Sequence, residues 1–330
     1  MTDLLKSIVQ RATGRQVADT EHIQTLWKGY GRILRVTLAG GAGETVVVKN
    51  VRLPKSGGPK KGKTGDDRSH VRKVKSYRVE TGWYGHWNAL CDDACRTAEC
   101  LAMETRGDEV WMVFEDLDAS GFYRRSVRPT WAEIDAGLRW LAEFHATFLG
   151  KAPEGLWRVG TYWHLDTRPD ELKALDDAAL RSAAPRIDQA LRSTFQTFVH
   201  GDAKVENFCF NEDGTQIAAV DFQYAGGGCG MKDVAYFVGS CLDDHQAEQQ
   251  EASLLDTYFD ALRAAAVRRG TAESPDALVD EWRALYRTAW TDFHRFYKGW
   301  GRVRYSKNSY SERVAAEVIE HLGRSGKGRS

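Results

Sequence analysis

The segment FVHGDAKVENFCF, residues 198–210, sets Asp202 and Asn207 five positions apart in a polar loop between two apolar flanks. Nineteen positions after Asp202, Asp221 follows the apolar run QIAAV. Far upstream, Lys49 ends the β-branched run VVVK. Moving the terminal phosphoryl group of a nucleotide needs residues of these types. Phosphate charge must be neutralised by a metal and a lysine, and the acceptor hydroxyl must be oriented by a carboxylate. Asp202 suits the orienting role, accepting the hydroxyl proton or holding the group in line. Asn207 offers a neutral amide oxygen and Asp221 a carboxylate, both hard ligands for Mg²⁺, which keeps waters and borrows phosphate oxygens. His200 reads as a scaffold whose ring bonds backbone and fixes the loop.

Lys49 is the candidate phosphate lysine, and an ammonium at a strand end needs a fixed partner. Glu80, on the helix that follows, is placed to be that partner. Gly29 and Gly31, in LWKGYGRILRV, lie between two strand-like segments, where backbone amides can cover phosphates. Each residue also has a plainer reading by itself. Asp202 could be an Asx-turn residue and Lys49 an exposed strand lysine. Their joint presence in this order favours the catalytic reading.

These residues need two kinds of framework. From Gln24 to Leu117 the chain reads as strands: a short one at Gln24–Trp27, a hairpin from RILRVTLAG and TVVVKNV, and a second pair from AECLAME and EVWMVFEDL. A helix over about Val71–Leu90 separates the pairs. From Arg128 onward helices dominate. One begins at Thr130 with Glu133 in capping-box spacing and stops at Gly150. Another one or two fall within DELKALDDAALRSAAPRIDQALRSTFQTF, and more run from about Val234 to the end. The N-terminus reads as a short amphipathic helix with Leu4, Leu5, Ile8 and Val9 on one side.

The 330 residues carry no net charge, and 42% are hydrophobic and 28% charged. That argues against a nucleic-acid protein with a global positive field. No run of eighteen apolar residues exists, and the start lacks a signal-peptide pattern, so a cytoplasmic protein with no membrane partner is expected. The six cysteines include no C-x-x-C pair and read as reduced structural thiols rather than a zinc site.

Several stretches stay open. Residues 52–75, rich in Gly, Pro, Lys and Arg, read as a mobile surface loop, or as a lid from which Arg72 and Lys73 reach a phosphate. Gly226–Gly228 read as a turn beside the metal or as a plain loop. The acidic CLDDHQAEQQE reads as a solvated helix start or as an attractor for a cationic acceptor. In WTDFHRFYKGWGRVRY, Trp290, Phe293 and Tyr297 share a helical face suited to core packing, while Trp300 and Tyr305 are candidates to line an acceptor pocket. The tail 323–330 is expected to be disordered.

VHGDAKVENFCF with VDFQ resembles the catalytic loop and metal aspartate of the aminoglycoside phosphotransferase and choline kinase-like superfamily. RKVKSYRVETGWY, MVFEDLDASGF and LAEFHATF look most like its ecdysteroid kinase-like branch, over about residues 20–300. The resemblance implies an α+β, two-lobed, protein-kinase-like fold, with a sheet-rich nucleotide lobe over 1–117 and a helical lobe over 118–330. It implies Asp202 as catalytic aspartate, Asn207 and Asp221 as metal ligands, Lys49 as nucleotide lysine and Glu80 as its pair. Glu115, Asp116 and Leu117 match the connector whose backbone binds adenine, and Asp233 matches an aspartate that steadies the catalytic loop. There are departures: Gly201 stands where protein kinases have arginine, Gln223 replaces a glycine, and KGYGR is short in glycine.

The expected function is ATP-dependent, Mg²⁺-assisted phosphorylation of a hydroxyl on a small molecule: steroid, amino alcohol, sugar or antibiotic. The alternatives are a nucleotide-binding protein without turnover and, less favoured, a protein kinase. Against the latter, only eleven residues separate Asp221 from Asp233, too few for an activation segment.

Overall fold

The computed structural model describes residues 3–41, 43–52, 64–301, 306 and 308–327. A helix, α1 (Asp3–Thr13), precedes five strands: β1 (Val17–Thr25), β2 (Gly31–Leu38), β3 (Thr45–Arg52), β4 (Cys100–Arg106) and β5 (Glu109–Glu115). They form one antiparallel sheet in the order β1-β2-β3-β5-β4. Strand alternation divides its faces. Leu34, Val36, Leu38, Val46, Val48, Trp111 and Val113 point one way and bury against Leu5, Ile8 and Val9 of α1. That is the amphipathic helix expected at the N-terminus. Residues at the other parity, Ile33 and Arg35 of β2 and Val47 and Lys49 of β3, face a cleft.

β1 is longer than the short strand expected at Gln24–Trp27 and begins earlier. Its residues VADTEHIQT are mostly exposed at the sheet edge, and two register shifts break its alternation, so it carries no period to read.

Between β3 and β4 lies α2 (Thr64–Gly82), followed by a wide turn at Trp83–Trp87 and a tight one at Asn88–Leu90. The helix starts ahead of the expected Val71, so residues 64–75 are helix rather than surface loop. Residues 53–63 of the expected lid lie outside the described residues. Trp83 is buried and stacks on Phe222, ring centroids 4.2 Å apart, tying the helix end to the residue after Asp221.

The helical part contains α3 (Trp131–Thr147), α4 (Pro169–Ala174), α5 (Ala178–Ala190), α6 (Met231–Cys241), α7 (Asp244–Arg269), α8 (Pro275–Trp300) and α9 (Tyr310–Lys327). The capping box at Thr130 and Glu133 forms on both sides, with Thr130 N donating to Glu133 and Glu133 N donating to Thr130 Oγ1. Four three-residue strands interrupt the helices: β6 (Thr197–Val199), β7 (Phe208–Phe210), β8 (Ile217–Ala219) and β9 (Gly226–Gly228). β6 pairs with β9 and β7 with β8, so two small ladders brace the segment around Asp202 and Asp221.

Gly226–Gly228 is thus a strand, not the open turn considered above. A Cβ at Gly226 would meet Trp157 O at 2.2 Å, so close backbone approach explains a glycine there. The acidic stretch after Cys241 is a helix start, with Asp243 capping α7 through Gln246 N. α9 runs to Lys327, so the expected tail disorder does not hold over 323–327. The architecture is α+β and two-lobed in the protein-kinase-like manner, a five-stranded sheet with its helix above a helical body. Among the described residues, no helix is long and apolar enough to cross a membrane.

Candidate active site

A cavity of about 560 Å³ opens between sheet and helical body. Its inner end is apolar from both sides, with Ile33 and Val47 from the sheet facing Cys209 and Val220. Its polar end gathers Lys49, Glu80, Lys73, Asn207, Asp221 and Gln223. Lys49 Nζ donates to Glu80 Oε1 at 2.5 Å, and both side chains are buried.

Asp233, wholly buried at the start of α6, holds the loop that carries Asp202. It accepts from His200 N at 2.5 Å and Gly201 N at 3.0 Å, and His145 Nε2 lies 3.3 Å from the same carboxylate. The His200 ring donates to Val220 O at 3.0 Å, linking this loop to the residue before Asp221 and acting as the scaffold expected. Burial holds that ring below the ordinary histidine range, which keeps it neutral. Gly201 has φ +79°, and a Cβ there would meet Tyr224 O at 2.1 Å. An arginine at this position, as in protein kinases, is sterically excluded here.

Asp202 is partly exposed. Loss of water around it, and then the Asp221 charge, push its carboxyl up to about 7. Asn207 Nδ2 donates to Asp202 O at 2.7 Å, leaving its amide oxygen as the atom available to a cation. Asp221 has φ +67°, in the left-handed region that non-glycine residues adopt at functional sites. Its Oδ1 is buried and accepts no hydrogen bond among the described residues. An orphaned carboxylate oxygen near a neutral amide oxygen is the donor set a hard cation with phosphate ligands needs. Among the described residues, no cluster of three His, Cys, Asp or Glu side chains could hold a metal alone.

The connector after β5 is clamped by charge. Arg35 Nε donates to Asp116 at 2.6 Å, and Thr45 Oγ1 adds a bond at 2.7 Å. Arg96 donates to Glu115 at 2.6 Å, while Leu117 is buried and lines the cleft. Gly29 and Gly31 are not in the cleft lining, whose wall there is Leu26 and Trp27. Gly29 ends a tight turn with φ +74°. A Cβ on Gly31 would meet Asn50 O at 1.9 Å, so this glycine lets β2 approach β3.

Trp300 packs on Phe296 and Tyr162, and Tyr305 lies outside the described residues. Trp290 and Phe293 are buried in the helical body. Arg72 is turned away from the cleft onto Thr167 O at 2.9 Å, whereas Lys73 lines it. Tyr162 and Tyr236, whose rings pack together and whose ionisation feels the Asp202 charge, were not singled out in the sequence. They come from segments 40 and 34 residues away from Asp202, and no local period links them to it.

Residues 159–269 match the model of the ecdysteroid kinase-like family, so the resemblance read in the sequence holds over that third of the chain. Among solved structures, an aminoglycoside phosphotransferase of Streptomyces rimosus is similar at 14% identity, covering 87% of this chain and 99% of that one, with a TM-score of 0.44. A putative fructosamine-3-kinase of Haemophilus somnus is similar at 9% identity, covering 96% of each chain, with a TM-score of 0.47. A macrolide 2'-phosphotransferase of type I is similar at 14% identity, covering 98% of each chain, with a TM-score of 0.49. No curated protein matches the chain by sequence.

Proposed function

We propose that the protein transfers the terminal phosphoryl group of ATP to a hydroxyl of a small organic molecule, with Mg²⁺ assisting. One observation carries this reading: a buried lysine–glutamate pair from the sheet lobe, and Asn207 with the orphaned oxygen of Asp221 from the helical lobe, line one cleft. The apolar walls would take adenine, and the backbone of Glu115 and Leu117 would face its edge. Lys49, fixed by Glu80, binds phosphate oxygens. Asn207 and Asp221 would hold the metal, which would supply neutralisation of the phosphate charge. Asp202 orients the acceptor hydroxyl and takes its proton. The sheet-rich part, 1–117, acts as the nucleotide lobe, and 118–330 carries the acceptor.

The acceptor classes are steroid, amino alcohol, sugar or antibiotic, each bearing a free hydroxyl. The test is a thermal-shift and ATP-consumption screen of hydroxylated metabolites and antibiotics with Mg²⁺ present. An acceptor identified this way is then assayed with Asp202→Ala, and the expected loss of turnover is at least about a hundredfold. Unchanged turnover refutes the role of Asp202. Metal-dependent ATP binding with no turnover across the panel favours a nucleotide-binding protein without catalysis.

A further inference from the structure

We propose that Lys73 is a second phosphate lysine, which Gln223 holds beside Asp221 and which passes to the terminal phosphate when nucleotide binds. The proposal rests on the nucleotide reading of the cleft.

Lys73, Ser76, Tyr77 and Glu80 fall at i, i+3, i+4 and i+7 of α2, one stripe of the helix. Lys73, Tyr77 and Glu80 line the cleft together. Lys73 Nζ donates to Gln223 Oε1 at 2.6 Å, Ser76 Oγ shares that oxygen at 3.3 Å, and the ammonium lies 4.7 Å from the Tyr77 ring centre. Gln223 is itself fixed, since its backbone oxygen accepts from the Trp157 indole at 2.9 Å.

The two lysines of the cleft are held differently. Lys49 is committed to a carboxylate. Lys73 leans on a neutral amide, and among the described residues no carboxylate comes within ion-pair distance of its Nζ. The charges acting on it are Asp221, Glu80 and Asp202, which attract, and Lys49, which repels. With the Lys49 charge offset by Glu80, Lys73 is the cleft lysine whose hydrogen-bond partner is neutral, and its ammonium can exchange that amide for an entering phosphate oxygen. Lys73 sits two helical turns from Glu80 and beside the residue two after Asp221, so its reach is toward the metal side of the phosphates rather than the adenine side.

Two departures noted in the sequence bear on Lys73. At Gln223, where a glycine was expected, the amide oxygen is the partner of Lys73. Gly29 and Gly31 lie outside the cleft lining, whereas Lys73 of α2 lies within it.

The experiment measures Kd for ATP, ADP and AMP in Mg²⁺ buffer by calorimetry, on the full chain, for wild type, Lys73→Met, Lys73→Arg and Gln223→Ala. Lys73→Met is expected to weaken ATP at least about ten-fold and AMP less than about two-fold, collapsing the ATP preference. Lys73→Arg recovers part of it. Gln223→Ala frees the ammonium and keeps the ATP-to-AMP ratio within about three-fold of wild type. If Lys73→Met does not fold, Lys73→Gln is read the same way. An unchanged ATP-to-AMP ratio without the ammonium overturns the proposal. So does a Gln223→Ala variant that reproduces the whole loss, since Lys73 is then only a tie between α2 and the helical body. Wild type that binds none of the three nucleotides overturns the nucleotide reading itself, a separate result.

Discussion

Lys49 Nζ and Glu80 Oε1 stand 2.5 Å apart, with the two residues only 7% and 1% exposed. The other carboxylate oxygen, Glu80 Oε2, is buried with no hydrogen-bond partner among the described residues. Burial pushes the Glu80 carboxyl up against the opposing pull of Lys49. The pair therefore holds an aligned charge in place more than it stabilises the fold, because desolvation offsets most of the attraction.

An asymmetry follows. Glu80→Leu leaves a buried ammonium and is expected to destabilise by about 3–5 kcal/mol. Lys49→Met leaves a carboxyl already disposed to take a proton, so it should lose less. The double variant should be less destabilised than the two single losses added together. Urea denaturation of all four proteins at pH 7 measures this. Strict additivity would show that the two groups do not interact.

Asp233 makes the second prediction. Its two oxygens accept from consecutive amides, His200 and Gly201, at 2.5 and 3.0 Å. Asp233→Asn turns one acceptor into a donor facing an amide, leaving a buried N–H unpaired. The expected loss is about 1–3 kcal/mol. Hydrogen exchange should quicken first at His200 and Gly201. Protection that falls equally along α6 and α7, with no excess at these amides, would contradict a local role.

Much of this framework was readable in advance, for physical reasons that differ by element. The β2–β3 hairpin declares itself because Leu34, Val36, Val46 and Val48 alternate over a buried face, and that parity puts Lys49 on the cleft side. The start of α3 declares itself through the Thr130–Glu133 capping box. β1 does not, since an exposed edge strand with two register shifts has no period. Nor does the first turn of α2, where polar residues give no apolar repeat. In the site, local spacing carried Asp202, Asn207 and Asp221 into view. The Arg35–Asp116 clamp spans 81 positions, and no pattern in sequence joins such residues before the sheet folds.

Gly29 and Gly31 separate sterics from function in the third prediction. Gly29→Ala meets nothing within 4 Å but must keep φ +74°, so about 1–2 kcal/mol is expected. Gly31→Ala drives its methyl to 1.9 Å from Asn50 O, so β2 and β3 must part. A loss above about 3 kcal/mol is expected for it, measured by chemical denaturation without nucleotide. Equal, small losses in both variants would leave the close strand approach without energetic weight.

The fourth prediction concerns pH and lies away from the cleft. His294 of α8 is 1% exposed, with Nε2 3.3 Å from Glu312 Oε1, and Lys298 shares that carboxylate at 2.7 Å. Burial lowers the ring to about 4; Lys298 adds to that, while Glu312 and Asp244 oppose it. The unfolded chain binds this proton at about 6.5. Between about pH 6.5 and pH 4 the unfolded state thus holds a proton that the folded state lacks, and stability rises with pH across that window. On acidification wild type should lose about 3 kcal/mol more than His294→Gln, with the gap opening below pH 6.5 and levelling near pH 4. Taking the difference between the two proteins cancels the carboxylates that titrate in both. Urea midpoints of both, from pH 7.5 to pH 3.5, give the comparison, and parallel curves would mean that the ring is already protonated in the folded state or is not buried.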